Sequence, residues 1–296
     1  METETETDRG AGADVGVAVE GLDSEGRTFS NTKEMWAEEI GQDGQADIKE
    51  WYNKGVGYWQ QVEASVDGVL GGYGHVSGRD VRDSNAFLVE IMGKRLREAG
   101  HHLVALDCGA GVGRVTENLL LKHFHEVDLV EPVLHFLESA REKLKAANQS
   151  KSETHRAANF YCTPLQDFTP EAGRYDVIWV QWCIGHLTDA DFVAFFNRAK
   201  AGLKPGGFFV LKENIARNGF VLDKEDHSVT RSDAYIQELF SQTGLYLYKT
   251  KAQKGFPKEL FPVKMYALTT DPPSIVQDLP QQRRSKRETN KPCIIR

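Results

Sequence analysis

The stretch HLVALDCGAGVGRVT, residues 102–116, decides the fold of this chain. Residues 103–106 form a short apolar run, which predicts a fully buried strand. Three alternate glycines follow Asp107, and helix-forming sequence begins at Arg114 and continues to Lys122. Glycine at every second position permits a tight turn and a close approach of the backbone to a ligand, because no Cβ intervenes. The stretch therefore predicts a strand, a turn suited to ligand binding, and a helix.

The spacing of these glycines restricts the ligand. The dinucleotide fingerprint G-x-G-x-x-G requires glycine at the position of Arg114, so that pattern fails here. A glycine-rich turn on its own is also compatible with a purely structural connection between strand and helix. Further segments are needed to choose between these interpretations.

Composition argues against several classes of protein. The 296 residues are 40% hydrophobic and 10% aromatic, enough for a sizeable core and, by length, about two domains. We expect no membrane span and no signal peptide, because no apolar run approaches roughly 18 residues and the first residues, METETE, are acidic. The four cysteines lack C-x-x-C spacing, which indicates neither a zinc site nor a disulfide framework and favours a reducing compartment, the cytoplasm or the nucleus. A net charge of −7 argues against electrostatic nucleic-acid binding and suits a basic substrate.

The chain divides into four predicted regions. Residues 1–47 form an acidic disordered tail, helical at most near residues 32–40. Residues 48–100 form an N-terminal helical lid segment, and residues 101–270 form the α/β core. Residues 271–296 form a basic disordered tail, whose run RRSKR suits either a nuclear import signal or a plain solvated segment.

Two features of the lid segment are specific. Residues 66–77 carry four glycines, which favours a loop lying on a ligand over a mere connector. Ser84 is the expected N-cap of a helix over residues 85–98.

Strand and helix patterns alternate after the glycine turn, which predicts right-handed crossovers and a mostly parallel sheet. Glu131 ends the second strand 18 residues after Gly113, where an acidic side chain accepts ribose hydroxyls and can also cap the next helix. The further strands are expected at 159–162, 175–182 and 208–212, the helices at 136–147, 189–203 and 235–243, and a closing hairpin at 245–251 and 263–268.

Six segments are jointly specific: VDGVLGGYG (66–74), LDCGAGVG (106–113), LQDFTP (165–170), YDVIWVQWCIGHL (175–187), KEN (212–214) and LDKED (222–226). Together they resemble the eukaryotic protein N-terminal α-amine methyltransferases, a family of the class I S-adenosylmethionine-dependent methyltransferase superfamily. The block 179–189 is the least generic, and the match runs from about residue 51 to residue 268.

The resemblance implies a fold and an activity. The fold is Rossmann-like α/β, a mostly parallel seven-stranded sheet flanked by helices, with an N-terminal helical lid over a methyltransferase core. The cofactor is S-adenosylmethionine and its product S-adenosylhomocysteine. The substrates are proteins whose N-terminus, after removal of Met, reads Xaa-Pro-Lys or Xaa-Pro-Arg.

The chemistry of this reaction requires a base. A sulfonium activates its own methyl group, so alignment of amine nitrogen, methyl and sulfur accounts for much of the catalysis. A free α-amino group has a pKa of about 7.7–8.0 and is mostly protonated at pH 7, without the lone pair that attacks. The resemblance implies that Asp226 and His186 act as the base.

The resemblance also assigns binding roles. Arg114 meets the cofactor's carboxylate, Glu131 the ribose, and Leu165 and Gln166 the adenine. The complete cofactor set implied is Gly109, Arg114, Glu131, Leu165, Gln166 and Gln181, covered by Trp59 and Val69. For the peptide, Trp182 lies against the proline ring, Asn214 holds the first residue, and Asp223, helped by Ser228, pairs with the third-position cation.

Two positions depart from the family pattern. Glu131 stands where Asp is common, and Lys264 stands near the place where an aromatic residue is expected beside the peptide channel. Two other functions remain open: a small-molecule N- or O-methyltransferase on the same fold, and a non-catalytic cofactor-binding scaffold whose tails recruit partners. We also expect a monomer without metal, nucleic-acid or membrane partners, located in the cytoplasm, the nucleus or both.

Overall fold

The computed structural model describes residues 19–42, 47–93, 102–150 and 155–272. The helices are α1 (Thr32–Ile40), α2 (Ile48–Gln60), α3 (Ser77–Met92), α4 (Arg114–Asn118), α5 (Leu134–Ser150), α6 (Asp189–Ala199) and α7 (Asp233–Ser241). The strands are β1 (Gly21–Asp23), β2 (Thr28–Phe29), β3 (Val104–Cys108), β4 (Glu126–Val130), β5 (Arg156–Tyr161), β6 (Tyr175–Gln181), β7 (Leu203–Asn214), β8 (Phe220–Asp223), β9 (Ser228–Arg231), β10 (Tyr246–Ala252) and β11 (Val263–Thr269). None of these helices combines the length and the apolar character needed to cross a bilayer.

A seven-stranded sheet in the order β10-β11-β7-β6-β3-β4-β5 forms the centre of the molecule. Strands β3 to β7 run parallel, whereas β11 is antiparallel to both of its neighbours, β7 and β10. This arrangement confirms the predicted α/β fold with a mostly parallel sheet and a closing hairpin. The chain proceeds from β3 to β4 and β5 on one side, and then crosses back to β6 on the other. Such a reversal opens a crevice at the carboxyl ends of the strands, next to β3 and β6.

Strand β3 is buried on both faces, as its apolar sequence predicts, and all five of its residues are buried. Leu106 and Cys108 belong to the same apolar cluster as Phe196 of α6. Ala105 points to the other face, where Phe87 of α3 and further residues of α5 lie in its cluster. Helices on both faces therefore exclude water from the strand that carries the glycine turn.

The glycines of the turn are required by the backbone. Gly109, Gly111 and Gly113 have φ angles of +67°, +52° and +77°, a region that side chains with a Cβ rarely adopt. A Cβ on Gly109 would lie 2.4 Å from the Cβ of Cys183, which follows the neighbouring strand β6. The turn thus brings the ends of β3 and β6 into direct contact, and α4 begins immediately after it.

The prediction of a disordered tail over residues 1–47 is wrong for residues 19–31, whereas the helix allowed near residues 32–40 is confirmed by α1. Strands β1 and β2 extend the hairpin β8–β9 into a second sheet of order β2-β1-β8-β9. Phe29, Met35 and Ile40 are buried in the main apolar cluster. Asn31 caps α1 by accepting the Glu34 N–H at 2.9 Å, while the Glu34 carboxylate accepts the Ser30 N–H at 2.7 Å. A few well-spaced apolar residues and a capping box outweigh an acidic average composition. Residues 1–18, the run RRSKR and the rest of the chain beyond residue 272 lie outside the described part.

Several boundaries also differ from the sequence prediction, among them the starts of α3 and β7 and the end of α6, which lies at Ala199 rather than at residue 203. Helix α3 begins at Ser77 rather than at residue 85, and Ser84 is not its cap. Ser84 lies buried in the middle of the helix, where its Oγ accepts a hydrogen bond from Lys212 Nζ at 2.9 Å. The inward face of α3 carries polar groups that serve this buried lysine, which obscures the apolar periodicity of the helix. Strand β7 begins at Leu203, so the turn 204–207 lies within the strand rather than before it.

Candidate active site

A cleft with about 800 Å³ of empty space lies at the crevice beside the glycine turn. Six of the eight residues expected to contact the cofactor line it. These are Trp59, Val69, Gly109, Glu131, Leu165 and Gln166. The remaining wall includes apolar and aromatic residues, namely Tyr52, Val56, Val133, Phe136, Pro164 and Leu187. The cleft is therefore mostly apolar, with a few polar groups at defined positions.

Glu131 is the acidic group at the floor of this cleft. Its Oε2 accepts the Gly111 N–H at 2.8 Å and its Oε1 accepts the Val133 N–H at 2.9 Å. Burial raises the pKa of Glu131 to about 7, although these two hydrogen bonds oppose the shift. The carboxylate is thus fixed in orientation, and each oxygen retains a lone pair that can accept a hydroxyl.

The loop after β5 forms the opposite end of the cleft. Leu165 is buried, and Gln166 is half-buried. Arg198 of α6 donates from Nη2 to the carbonyl oxygens of Leu165 at 3.0 Å and Gln166 at 2.8 Å. This double contact fixes the loop backbone, so the two side chains hold their places in the wall.

Arg114 and Gln181 do not line the cleft. Both bind Asp80 of α3: Arg114 Nη1 lies 2.7 Å from Asp80 Oδ2, and Gln181 Nε2 lies 3.0 Å from both carboxylate oxygens. Lys212 Nζ lies 2.5 Å from Asp80 Oδ1, and both side chains are almost completely buried. Burial raises the pKa of Asp80, but the cations Lys212 and Arg114 outweigh it, so the pKa lies below its ordinary value. Asp80 is not among the residues predicted from the sequence, because a single acidic residue in a mostly polar helix forms no recognisable motif.

A second cavity, with about 940 Å³ of empty space, adjoins the cleft and shares Trp59, Val69, Trp182 and His186 with it. We call it the channel. Asn214, Asp226 and Ser228, three residues expected to contact a substrate, line it. Its wall also contains residues that the sequence analysis did not single out, namely Tyr73, Glu213, Phe256, Leu260 and Phe261.

Trp182 stands between the cleft and the channel in an unusual backbone conformation. Its φ angle is +51°, which costs a bulky residue about 1–3 kcal/mol. Its indole N–H is buried and has no hydrogen-bond partner among the described residues. The Arg114 guanidinium lies 5.5 Å from the ring, and the Phe256 ring centroid lies 6.4 Å away. Trp179, in contrast, is completely buried in the core, as the alternation along β6 predicts.

His186 follows β6 and lines both cavities. Its Nε2 lies 3.0 Å from Trp59 Nε1, and its Nδ1 lies 3.0 Å from the carbonyl oxygen of His227. An indole N–H can only donate and a carbonyl oxygen can only accept. The imidazole is therefore the neutral tautomer with the proton on Nδ1, and Nε2 is already occupied as an acceptor.

Two buried carboxyl groups face the channel. Asp226 Oδ1 and Glu213 Oε2 are buried without a hydrogen-bond partner in the described part of the chain. Burial raises the pKa of Asp226, while its hydrogen bond with Ser228 opposes this shift. Burial also raises the pKa of Glu213 to about 7, although a hydrogen bond from the Asn214 N–H, at 2.8 Å, opposes it. Both groups can therefore take up a proton more readily than a carboxylate in water.

Asp223 and Lys264 lie outside the channel wall. Asp223 is half-buried at the end of β8, where its Oδ1 accepts the Glu225 N–H at 2.8 Å. Lys264 turns away and binds the carboxylate oxygens of Asp233 at 2.8 and 2.7 Å. The expected aromatic residue beside the channel is therefore supplied by Phe256 and Phe261 from the loop before β11, and Lys264 does not replace it.

Comparison with known proteins identifies relatives over the part of the chain that forms the cleft and the channel. The family model described as AdoMet dependent proline di-methyltransferase matches residues 47–269. The alpha N-terminal protein methyltransferase 1 of Arabidopsis thaliana is 62% identical over 279 residues, covering 93% of this chain and 99% of its own. The N-terminal Xaa-Pro-Lys N-methyltransferase 1 of Homo sapiens is 42% identical over 222 residues, covering 75% of this chain and 96% of its own. A solved SAM-dependent methyltransferase of Leishmania major is 39% identical with a TM-score of 0.75, covering 86% of this chain and 97% of that one.

Proposed function

Because the chain belongs to the AdoMet-dependent proline di-methyltransferase family, we propose that it methylates the α-amino group of proteins with Xaa-Pro-Lys or Xaa-Pro-Arg N-termini. S-adenosylmethionine supplies the methyl group. One observation carries the proposal: the cleft at the glycine turn and the channel meet at a shared wall of Trp59, Val69, Trp182 and His186. A donor in the cleft and a peptide in the channel then approach each other end to end, as an in-line displacement requires.

In the cleft, we assign Glu131 to the ribose hydroxyls and Leu165 and Gln166 to the adenine. Gly109 lets the cofactor approach the backbone, and Trp59 and Val69 cover it from the N-terminal side. Val69 lies against the glycine turn, since a Cβ on Gly111 would be 3.5 Å from Val69 Cγ1.

Arg114 remains our candidate for the cofactor's carboxylate, with Asp80 setting its orientation. Among the described residues, both hydrogen bonds of its guanidinium, to Asp80 and to Ser77, use Nη1. The guanidinium carries five N–H donors, so those on Nη2 and Nε remain for an anion. Gln181 also binds Asp80, so we assign it to the same polar group behind the cleft.

In the channel, Asp226 is the first acceptor for the proton of the substrate ammonium, because its buried Oδ1 has no partner among the described residues. Once Asp226 holds this proton, the amine lone pair attacks the methyl group. His186 can accept at Nε2 only after Trp59 gives up its hydrogen bond. We therefore assign His186 the second position in proton transfer.

The remaining contacts recognise the peptide. Trp182 offers its ring face to the proline ring, and Asn214, which follows Glu213 in the channel wall, holds the first residue. The third-position cation reaches the acidic turn between β8 and β9, where Asp223 and Ser228 are available. A carboxylate paired with Lys or Arg is a charge-assisted contact, which gives the site its preference for a basic third residue.

A mass-spectrometric assay tests this function. The enzyme with S-adenosylmethionine is given a Ser-Pro-Lys peptide, the same peptide with Lys→Glu at the third position, and the N-acetylated peptide. We expect methylation of the first peptide alone. Equal methylation of simple amines would favour a small-molecule methyltransferase, and cofactor binding without turnover on any peptide would favour a scaffold; either result contradicts the proposal.

A further inference from the structure

A lysine stands in the acidic turn at the mouth of the channel. Lys224 lies between Asp223 and Glu225, and Asp226 follows. Its side chain is 30% exposed, so burial does not hold it in place. An ammonium group free to turn towards Asp223 would neutralise the carboxylate that we assign to the third-position cation. The position of Lys224 therefore bears directly on substrate recognition.

Three carboxylates of the N-terminal segment 19–42 draw this ammonium away. Lys224 Nζ lies 3.1 Å from Asp23 Oδ2 and 3.6 Å from Glu25 Oε2. Glu39 of α1 acts on it electrostatically. The ion pair with Asp23 is the main reason that the pKa of Lys224 is raised, while desolvation opposes it. The family model begins at residue 47, so this segment lies outside the part of the chain that it matches.

Asp23 is oriented for this contact. Its side chain is completely buried, and its Oδ1 accepts the N–H groups of Glu25 at 3.0 Å and Arg27 at 2.9 Å. These two bonds leave Oδ2 to face Lys224. The carboxylate therefore has one fixed direction, towards the turn.

The segment 19–42 is also joined to the turn by strand pairing and hydrogen bonds. Strand β1 pairs in parallel with β8, with Asp23 opposite Leu222. The Ser24 N–H donates to the carbonyl oxygen of Leu222 at 2.8 Å, and the Lys224 N–H donates to Ser24 Oγ at 3.3 Å. Strand β8 ends at Asp223, so the segment contacts the turn at its first residues.

We propose that Asp23 is a specificity-determining residue, which holds the Lys224 ammonium against the N-terminal sheet and so keeps the mouth of the channel negative for a third-position Lys or Arg. This inference rests on the proposed function. Asp23 touches neither the reacting atoms nor the substrate, and it acts through Lys224. Its effect falls on the binding of a basic peptide and leaves the methyl-transfer step unchanged.

The test compares Asp23→Asn, Lys224→Met and the double variant with the wild-type enzyme. Asparagine retains Oδ1 as an acceptor for Glu25 and Arg27, so the local fold is kept. We expect Asp23→Asn to raise KM for a Ser-Pro-Lys peptide about threefold to tenfold, a modest factor because the ammonium is partly in solvent, with kcat unchanged. Lys224→Met should leave KM at or below the wild-type value. The double variant should behave like Lys224→Met, because the cation that Asp23 restrains is gone.

Two controls separate charge from structure. Glu38→Gln removes one charge from the same segment at a residue that pairs with Arg27 instead of Lys224, and it should leave KM unchanged. A Ser-Pro-Gln peptide, which has no third-position cation, should bind equally to wild type and to Asp23→Asn. An unchanged KM in Asp23→Asn, or a double variant that keeps the raised KM, would overturn the inference.

Peptide binding in the presence of S-adenosylhomocysteine gives the same comparison without turnover. By calorimetry, Asp23→Asn should weaken binding of the Ser-Pro-Lys peptide by the same factor, and Lys224→Met should restore it. An absence of this pattern contradicts the role of Asp23, whereas an absence of methylation by the wild-type enzyme contradicts the proposed function. The two failures are therefore distinguishable.

Discussion

Trp59 Nε1 lies 3.0 Å from His186 Nε2, so a residue of the lid helix α2 donates a hydrogen bond to the histidine at the end of β6. The same helix reaches this corner twice more. Trp51 Nε1 donates to the carbonyl oxygen of His186 at 2.8 Å, and the Tyr52 hydroxyl donates to Asp191 at 2.5 Å. The position of helix α2 therefore affects which ring nitrogen of His186 carries the proton.

Replacing Trp59 should release the imidazole. In the wild-type enzyme, ¹⁵N NMR of labelled histidine should show His186 protonated on Nδ1 and unprotonated on Nε2. Trp59→Phe keeps an aromatic ring near Phe136, 6.4 Å away in the wild type, but removes the indole donor. The variant should show the imidazole proton distributed between Nδ1 and Nε2. An unchanged Nε2 signal in Trp59→Phe would show that the indole does not hold this tautomer.

Replacing Asp226 should affect the chemical step. We expect Asp226→Asn to lower kcat at pH 7 by a factor of about 10²–10⁴, the range for loss of a general base, with little change in S-adenosylhomocysteine affinity. The deficit should shrink as the pH rises through about 8, because the substrate amine then loses its proton to solvent. Glu225→Gln, a neighbouring exposed residue of the same turn, serves as control. A full rate for Asp226→Asn at pH 7 would contradict the assignment.

The raised pKa of Glu131 predicts pH-dependent cofactor binding. Because this pKa is about 7, only part of the enzyme carries the charged carboxylate at neutral pH. Charge-assisted hydrogen bonds to hydroxyls are stronger than neutral ones. The Kd for S-adenosylhomocysteine, measured by calorimetry, should therefore decrease between pH 6 and pH 8. In Glu131→Gln, the Kd should be higher at pH 8 and nearly constant over this interval; a parallel pH dependence in both proteins would exclude Glu131 as its source.

Ionisation of Glu213 should lower the free energy of unfolding as the pH rises. Its pKa is about 7 in the folded protein and near the ordinary 4.5 in the unfolded chain, so the unfolded chain releases the proton first. The free energy of unfolding is therefore highest below about pH 4.5, where the carboxyl is neutral in both states. It decreases as the pH rises through 7, because the carboxyl ionises more easily in the unfolded chain than in the folded protein. By pH 8 the loss is of order 3 kcal/mol.

Glu213→Gln, which keeps an acceptor for the Asn214 N–H, should remove this loss. Its Tm should match the wild type near pH 5 and exceed it at pH 8, as measured by thermal unfolding at both values. Glu171→Gln, at a solvent-exposed carboxylate, should show no such difference. An equal Tm difference at both pH values would mean that the substitution acts through packing rather than through charge.

The sequence by itself determined the strand, the glycine turn and the parallel sheet. The apolar run at 103–106 and the glycines that permit positive φ are local properties, because they depend only on neighbouring residues in one stretch of chain. The same holds for His186, because a residue that follows a strand of a parallel sheet lies at its ligand-binding edge.

Only the tertiary structure decided which groups meet at that edge. Strand β1 pairs with β8 almost 200 residues later, so an acidic N-terminal composition gave no indication of it. Arg114 and Gln181 bind Asp80 because three separate elements converge there. The proton affinities of Glu131 and Glu213 are raised by desolvation. A group is desolvated only when segments distant in the sequence pack around it, and its neighbours in the sequence do not indicate that packing.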